Sequence, residues 1–124
     1  MAYVMGGFKM KTDVNFSQFY DAFKNSSYKN NFSYDGLRAL YDYLIDYEEN
    51  TGTEIELDVV ALCCDYTEYE DIYDVIDAYS LQLDLNDIDL NDLETEDLEN
   101  IKNQLEDLTT IIEVENDKII IQNF

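Results

Sequence analysis

The side chains available for chemistry in this chain are almost all carboxylates. It holds 29 Asp and Glu against seven Lys and Arg, with no His, for a formal net charge of −22. Without His there is no Ser-His-Asp or Cys-His nucleophile arrangement and no imidazole to ligate a metal. Arg38 is the single arginine, which leaves little with which to clamp a transferred phosphoryl group. A pair of carboxylates can act as general acid and base, but one member must be desolvated. Nearly all of those in this chain fall on faces expected to be exposed. No catalytic residue, no enzyme activity and no cofactor is therefore expected.

Two short motifs bear on metals. Asp87-Ile88-Asp89-Leu90-Asn91 matches the first three ligand positions of a calcium loop. The match then fails, because Asp92 stands where the sharp turn needs Gly and Leu98 where the bidentate Glu belongs. Cys63 and Cys64 are adjacent, so a mutual disulfide would be strained, and zinc needs about four ligands where two thiolates are on offer. A solvated acidic loop, two small buried apolar cysteines and no metal site are expected.

Taken together, the carboxylates say more. Ala39 to Ile101 carries 21 Asp and Glu among 63 positions and no Lys, Arg or His. Met1 to Arg38 has five basic and three acidic residues, whereas Ala39 to Phe124 has two basic and 26 acidic. Solubility alone asks for a net charge of about 2–8 in magnitude on a small domain. Duplex DNA presents about one negative charge per 1.7 Å of axis. A helix face with Asp or Glu every three or four residues sets charges about 5–6 Å apart, a spacing of the same order as neighbouring phosphates. A surface of this kind can enter a cationic nucleic-acid channel and exclude the real ligand, and its field would speed association.

Displaying those charges requires a core. Hydrophobic residues are 46% of the 124 positions, too many for a disordered acidic tail and enough for one domain. Residues 1–14 are expected to form an N-terminal arm or edge strand, and 15–124 a single acidic α+β domain. Phe16, Phe19, Tyr20 and Phe23 have helical spacing, with Asn15 as cap and Gln18 as its capping-box partner. Asn25 to Asn31 reads as a loop. Ser33 caps a second helix that buries Leu37, Leu40, Tyr41 and Leu44 and stops at Gly52; Asp35, Asp42, Asp46 and Glu49 share its other face. Glu54 to Asp65 alternates and then becomes wholly apolar, which predicts the central strand. Thr67-Glu68-Tyr69-Glu70 reads as a capping box opening a third helix that buries Tyr69, Ile72, Tyr73 and Ile76 and exposes Glu68, Asp71, Asp74 and Asp77. Leu81, Leu83 and Leu85 permit a short strand. A fourth helix is expected from a Thr95 cap, burying Leu98, Ile101, Leu105 and Leu108. Thr110 to Phe124 predicts a β-hairpin turning at Asn116-Asp117. The expected architecture is thus α+β: about four helices packed on a three- to four-stranded sheet ending in a C-terminal β-hairpin.

The segment Phe32 to Asp71 (FSYDGLRALYDYLIDYEENTGTEIELDVVALCCDYTEYED) resembles the core of a family of small acidic proteins encoded by bacteriophages and prophages. Thr109-Thr110-Ile111-Ile112 and Ile119 to Phe124 resemble that family's closing TTxI strand and short terminal strand. The family has no agreed activity, so the resemblance transfers no catalytic residue; it implies a mobile element acting in a bacterial cytoplasm. By analogy of class, small acidic proteins in that setting include anti-CRISPR and antirestriction inhibitors that imitate DNA.

The expected function is a phage-encoded inhibitor of a nucleic-acid-binding defence system, an anti-CRISPR in preference to an antirestriction protein. Its partner would be a cationic CRISPR effector or restriction enzyme, with no direct nucleic-acid binding and no membrane. The expected partner-binding residues are Asp42, Tyr43, Asp46, Tyr47 and Glu49 on the second helix and Tyr66, Glu68, Asp71, Asp74 and Asp77 around the third. Asp84, Asp87, Asp89 and Asp92 on the following loop complete them. The alternative is an acidic module that modulates a host or phage protein allosterically, without competing for nucleic acid. Gly6, Gly7 and Lys9 interrupt the first apolar residues and no apolar run reaches about 18 residues. Neither a secretory leader nor a membrane span is expected, and the bacterial cytoplasm is the expected compartment.

Overall fold

The structure is a computed structural model that describes residues 14–124. The expected N-terminal arm falls on residues 1–13, outside the described residues, apart from Val14, which is buried. Among the described residues, five α-helices and a three-stranded antiparallel sheet follow in the order α1 (Phe16–Lys24), α2 (Tyr34–Thr51), α3 (Val59–Asp65), β1 (Tyr66–Tyr69), α4 (Ile72–Tyr79), α5 (Thr95–Leu108), β2 (Ile111–Glu113) and β3 (Ile119–Gln122). Among the described residues no helix is long and apolar enough to cross a membrane.

The first two helices start where the capping residues place them. Asn15 Oδ1 accepts from Gln18 N–H and Gln18 Oε1 from Asn15 N–H, both at 2.8 Å, which satisfies two donors at the N-terminus of α1. Ser33 Oγ accepts from Gly36 N–H at 2.9 Å to start α2. Gly52, at φ 70°, ends α2 in the left-handed region that favours glycine, its N–H donating to Glu48 O at 2.9 Å.

The stretch expected to be the central strand is instead an extended lead-in followed by α3. Asp58 Oδ1 accepts from Ala61 N–H at 3.1 Å and nucleates a short helix. Helical spacing then buries Leu62 and turns Val60 out, 51% exposed, with Cys64 exposed and Cys63 half-buried. The two cysteines are therefore not the buried pair expected of them. The true central strand is β3, with β1 and β2 at its edges. Ile121 sits opposite Thr67 and Ile111, and Ile120 opposite Glu68 and Ile112. Side chains alternate along a strand, so Ile120 joins one apolar cluster while Ile119 and Ile121 join the other. β2 and β3 pair across a turn in which Asn116 and Asp117 both take φ 64°, a conformation these short polar residues tolerate.

The presumed capping box at Thr67 is also displaced. Thr67 Oγ1 bonds Asn123 Oδ1 at 2.9 Å, residues 66–69 extend as β1, and Asp71 Oδ1 accepts from Asp74 N–H at 3.0 Å to begin α4 four residues later. Tyr73, expected inside, is consequently exposed. The segment after α4 forms turns, with no strand at Leu81 to Leu85: Leu83 is buried while Leu81 is 95% exposed. α5 begins after Glu94, not after a Thr95 cap, and Glu94 N–H donates to Asp97 Oδ2 at 3.0 Å. α5 buries Ile101 and Leu105 but leaves Leu108 exposed.

The result is three layers. α1, α2 and α3 cover the sheet face that carries Tyr66, Ile112 and Ile120. α4, α5 and the turns between them cover the face that carries Ile119 and Ile121.

Candidate anionic interface

The sheet divides the expected site in two. Asp42, Asp46 and Glu49 project from the solvent face of α2, whose Leu37, Leu40 and Leu44 pack on the Ile120 side. Asp74, Asp77, Asp84, Asp87, Asp89 and Asp92 are exposed on the layer built on Ile119 and Ile121. The expected partner-binding carboxylates therefore lie on two surfaces, separated by β1, β3 and β2.

Three of the expected contact residues serve the fold. Tyr66 is 8% exposed and belongs to the core around Ile120. The Glu68 carboxylate accepts from Ser33 N–H at 2.9 Å and from Ser33 Oγ–H at 2.7 Å, joining β1 to the start of α2. The positive end of the helix dipole favours a carboxylate there, and a Cβ at Gly36 would overlap Glu68 Oε1. Asp71, half-buried, is occupied in capping α4. On α2, Asp42 lies 3.4 Å from Arg38, an exposed pair of small energetic weight.

The α4–α5 layer is the more uniformly charged. From Asp71 to Leu108 there are thirteen carboxylates and a single basic residue, Lys102. Lys102 Nζ is itself 2.6 Å from Glu113 Oε1. Lys102 and Lys118, the two basic residues after Arg38, line one cleft of about 430 Å3 together with Asp71, Glu113 and Asp117. Glu94, Glu96, Glu99, Glu106 and Asp107 are exposed on or beside α5 and extend the surface beyond the residues anticipated from sequence. Glu94, Glu96 and Glu99 lie inside the stretch without a base, whereas Glu106 and Asp107 lie beyond it. Glu106 and Asp107 stand in the last turn of α5, where no base stands and the dipole disfavours anions. That unfavourable placement is what a surface kept negative for another reason would show.

The loop within this layer is an ordered display. Asp84 N–H donates to Gln104 Oε1 at 2.7 Å and Asp84 O accepts from Gln104 Nε2 at 2.9 Å, which anchors the loop to α5. Asp84 Oδ1 accepts from Asn86 N–H and Asp89 Oδ1 from Asn91 N–H, at 3.1 and 3.0 Å, two Asx-type turns. Leu83, Ile88 and Leu93 fasten the loop to the core from below. Among the described residues no group of three or more His, Cys, Asp or Glu side chains is arranged to hold a metal ion. Burial and the neighbouring Cys64 push the Cys63 thiol up, away from the reactive thiolate.

On the opposite layer, Tyr43 and Tyr47 do come together with Tyr66. The Tyr43 ring centroid is 6.2 Å from that of Tyr47 and 6.5 Å from that of Tyr66. Comparison of the chain with family models, curated proteins and solved structures returned no match.

Proposed function

We propose that the chain inhibits a bacterial nucleic-acid-binding defence enzyme, a CRISPR effector in preference to a restriction enzyme, by presenting the α4–α5 layer in place of a phosphate backbone. The observation that carries the proposal is the charge of that layer: thirteen carboxylates against one lysine between Asp71 and Leu108, on helices and turns fastened to a packed core. Fixed carboxylates lose little entropy on meeting a cationic channel, so their field adds to both association rate and selectivity. The phage setting, the bacterial cytoplasm and the preference for a CRISPR effector rest on the resemblance of Phe32 to Asp71 and on analogy of class. No catalytic step is part of the proposal.

The test is displacement of duplex DNA from purified CRISPR effectors and restriction enzymes by the chain and by a variant with Asp74, Asp77, Asp89 and Asp92 all changed to Lys. Stoichiometric displacement that weakens with salt and disappears in the variant is the expected result. Displacement unaffected by the four reversals would sink mimicry. The division of the carboxylates between two layers favours a second reading, an allosteric module, because a channel that grips one layer leaves the other free. Its signature is binding that persists when the partner is already loaded with nucleic acid.

A further inference from the structure

A second cleft, of about 370 Å3, opens on the α2–α3 side of the sheet and is lined by Tyr43, Tyr47, Tyr66, Asp65 and Gln122 among others. The Tyr43 ring is inclined 39° to Tyr47 and 65° to Tyr66, so the three rings turn their faces in different directions around the cleft. Tyr66 is 8% exposed, yet its hydroxyl has no hydrogen-bond partner among the described residues. Within the cleft that hydroxyl is free to pair with a ligand. Asp65 is exposed and forms no ion pair among the described residues.

The cleft's polar groups, one carboxylate and one phenol hydroxyl, define what it would accept. An anion is repelled by Asp65. An uncharged apolar ligand leaves both the carboxylate and the hydroxyl unanswered. A bare metal ion needs several converging hard ligands, and the cleft offers one carboxylate. A flat cation satisfies every element: it stacks against aromatic faces at about 6 Å or less from a ring centroid and carries several N–H donors in one plane.

We propose that this cleft receives the guanidinium of an arginine side chain on a partner protein, stacked against Tyr43 and Tyr47, with the Tyr66 hydroxyl and the Asp65 carboxylate accepting its N–H groups. The inference rests on the cationic-partner reading for the source of the arginine but not for the chemistry of the cleft. It gives the second layer a role of its own, since one inserted side chain fixes register where a diffuse charged surface cannot.

The test is an NMR titration of the full labelled chain with a capped Gly-Arg-Gly peptide and with the same peptide carrying citrulline, which has the same shape without the charge. The arginine peptide should shift the ring resonances of Tyr43, Tyr47 and Tyr66 saturably, and the citrulline peptide should not. Tyr66→Phe, which keeps the ring, should weaken binding by about tenfold, the equivalent of one charge-assisted hydrogen bond. Tyr47→Ala, at a position already 43% exposed, should weaken it by about two- to fivefold without disturbing the core. Equal response to citrulline, shifts confined to the α4–α5 carboxylates, or unchanged affinity in both variants would each overturn the assignment. If arginine occupies the cleft while the four reversals on α4 and the loop leave nucleic-acid displacement untouched, mimicry fails and the cleft stands; the converse pattern removes the cleft alone.

Discussion

The junction between Glu68, Ser33 and Gly36 carries a sharp prediction, because three residues from two elements depend on one carboxylate position. Glu68 accepts two hydrogen bonds from Ser33, at 2.9 and 2.7 Å, in a half-buried setting. A hydrogen bond to a charged group contributes roughly 1.5–3 kcal/mol; partial exposure brings the pair to about 2–3 kcal/mol in all. At about 4 °C per kcal/mol for a chain of this size, Glu68→Ala should lower the melting temperature by about 8–12 °C. Gly36→Ala alone should also destabilise, by about 1–2 kcal/mol, because the added methyl overlaps Glu68 Oε1 and drives the carboxylate from Ser33. With Glu68 already replaced, the nearest remaining neighbour of that methyl is Ser33 Oγ at 3.2 Å. There Gly36→Ala should cost far less, since a gain of about 0.5–1 kcal/mol in helix propensity offsets the small shift asked of Ser33 Oγ. Urea unfolding of the two single variants and the double variant, followed by circular dichroism, measures this difference as a coupling free energy. Additive effects, or a neutral Gly36→Ala in the native background, would refute the junction.

Three other outcomes follow from the fold and its charge. Ile120 is fully buried on the central strand, so Ile120→Ala should cost about 2–5 kcal/mol, whereas Val60→Ala, on the outer side of α3, should change the urea midpoint little; comparable losses would restore Glu54 to Asp65 as the core strand. Self-repulsion at a net charge of −22 should make the melting temperature rise as NaCl is raised from 10 to 100 mM, which shortens the screening length from about 30 to about 10 Å; a flat or falling response would contradict it. Burial, chiefly, holds the phenols of Tyr66 and Tyr69 up to about 12, the latter helped by its hydrogen bond with Tyr79. Unfolded phenols ionise near pH 10, so stability should be undiminished below about pH 10 and lost as pH rises toward 12. Urea midpoints across that range, compared with a Tyr66→Phe, Tyr69→Phe double variant, check it: the variant should show the shallower decline.

Helix ends were legible in the sequence where a side chain caps its own backbone. Asn15 with Gln18, Ser33 and Gly52 stand where local chemistry placed them. The expected α+β class holds, with five helices and three strands among the described residues. The central strand differs from the expected one because two segments are apolar on both sides, Val59 to Cys64 and Ile119 to Ile121, and a short apolar run does not declare its period. Long-range pairing decided between them. The sheet takes the all-isoleucine segment, and Asp58 turns the other into a helix. The same limit acted on Glu68, whose role depends on Ser33, 35 residues away. Nothing in the local pattern distinguishes a solvated glutamate from one that fastens a strand to a helix. The anionic character of the surface was legible from composition, but its division by the sheet was not, because that depends on which face of β3 each helix covers.

Competition with nucleic acid separates mimicry from allosteric binding. Proteins captured from a nuclease-treated bacterial lysate on the immobilised chain would be challenged with duplex DNA, with RNA, and with NaCl of matched ionic strength. Release by nucleic acid beyond that by salt is expected, together with loss of capture when Asp74, Asp77, Asp89 and Asp92 are all changed to Lys. Proteins that stay bound under saturating nucleic acid, and bind the reversed variant equally well, would contradict it.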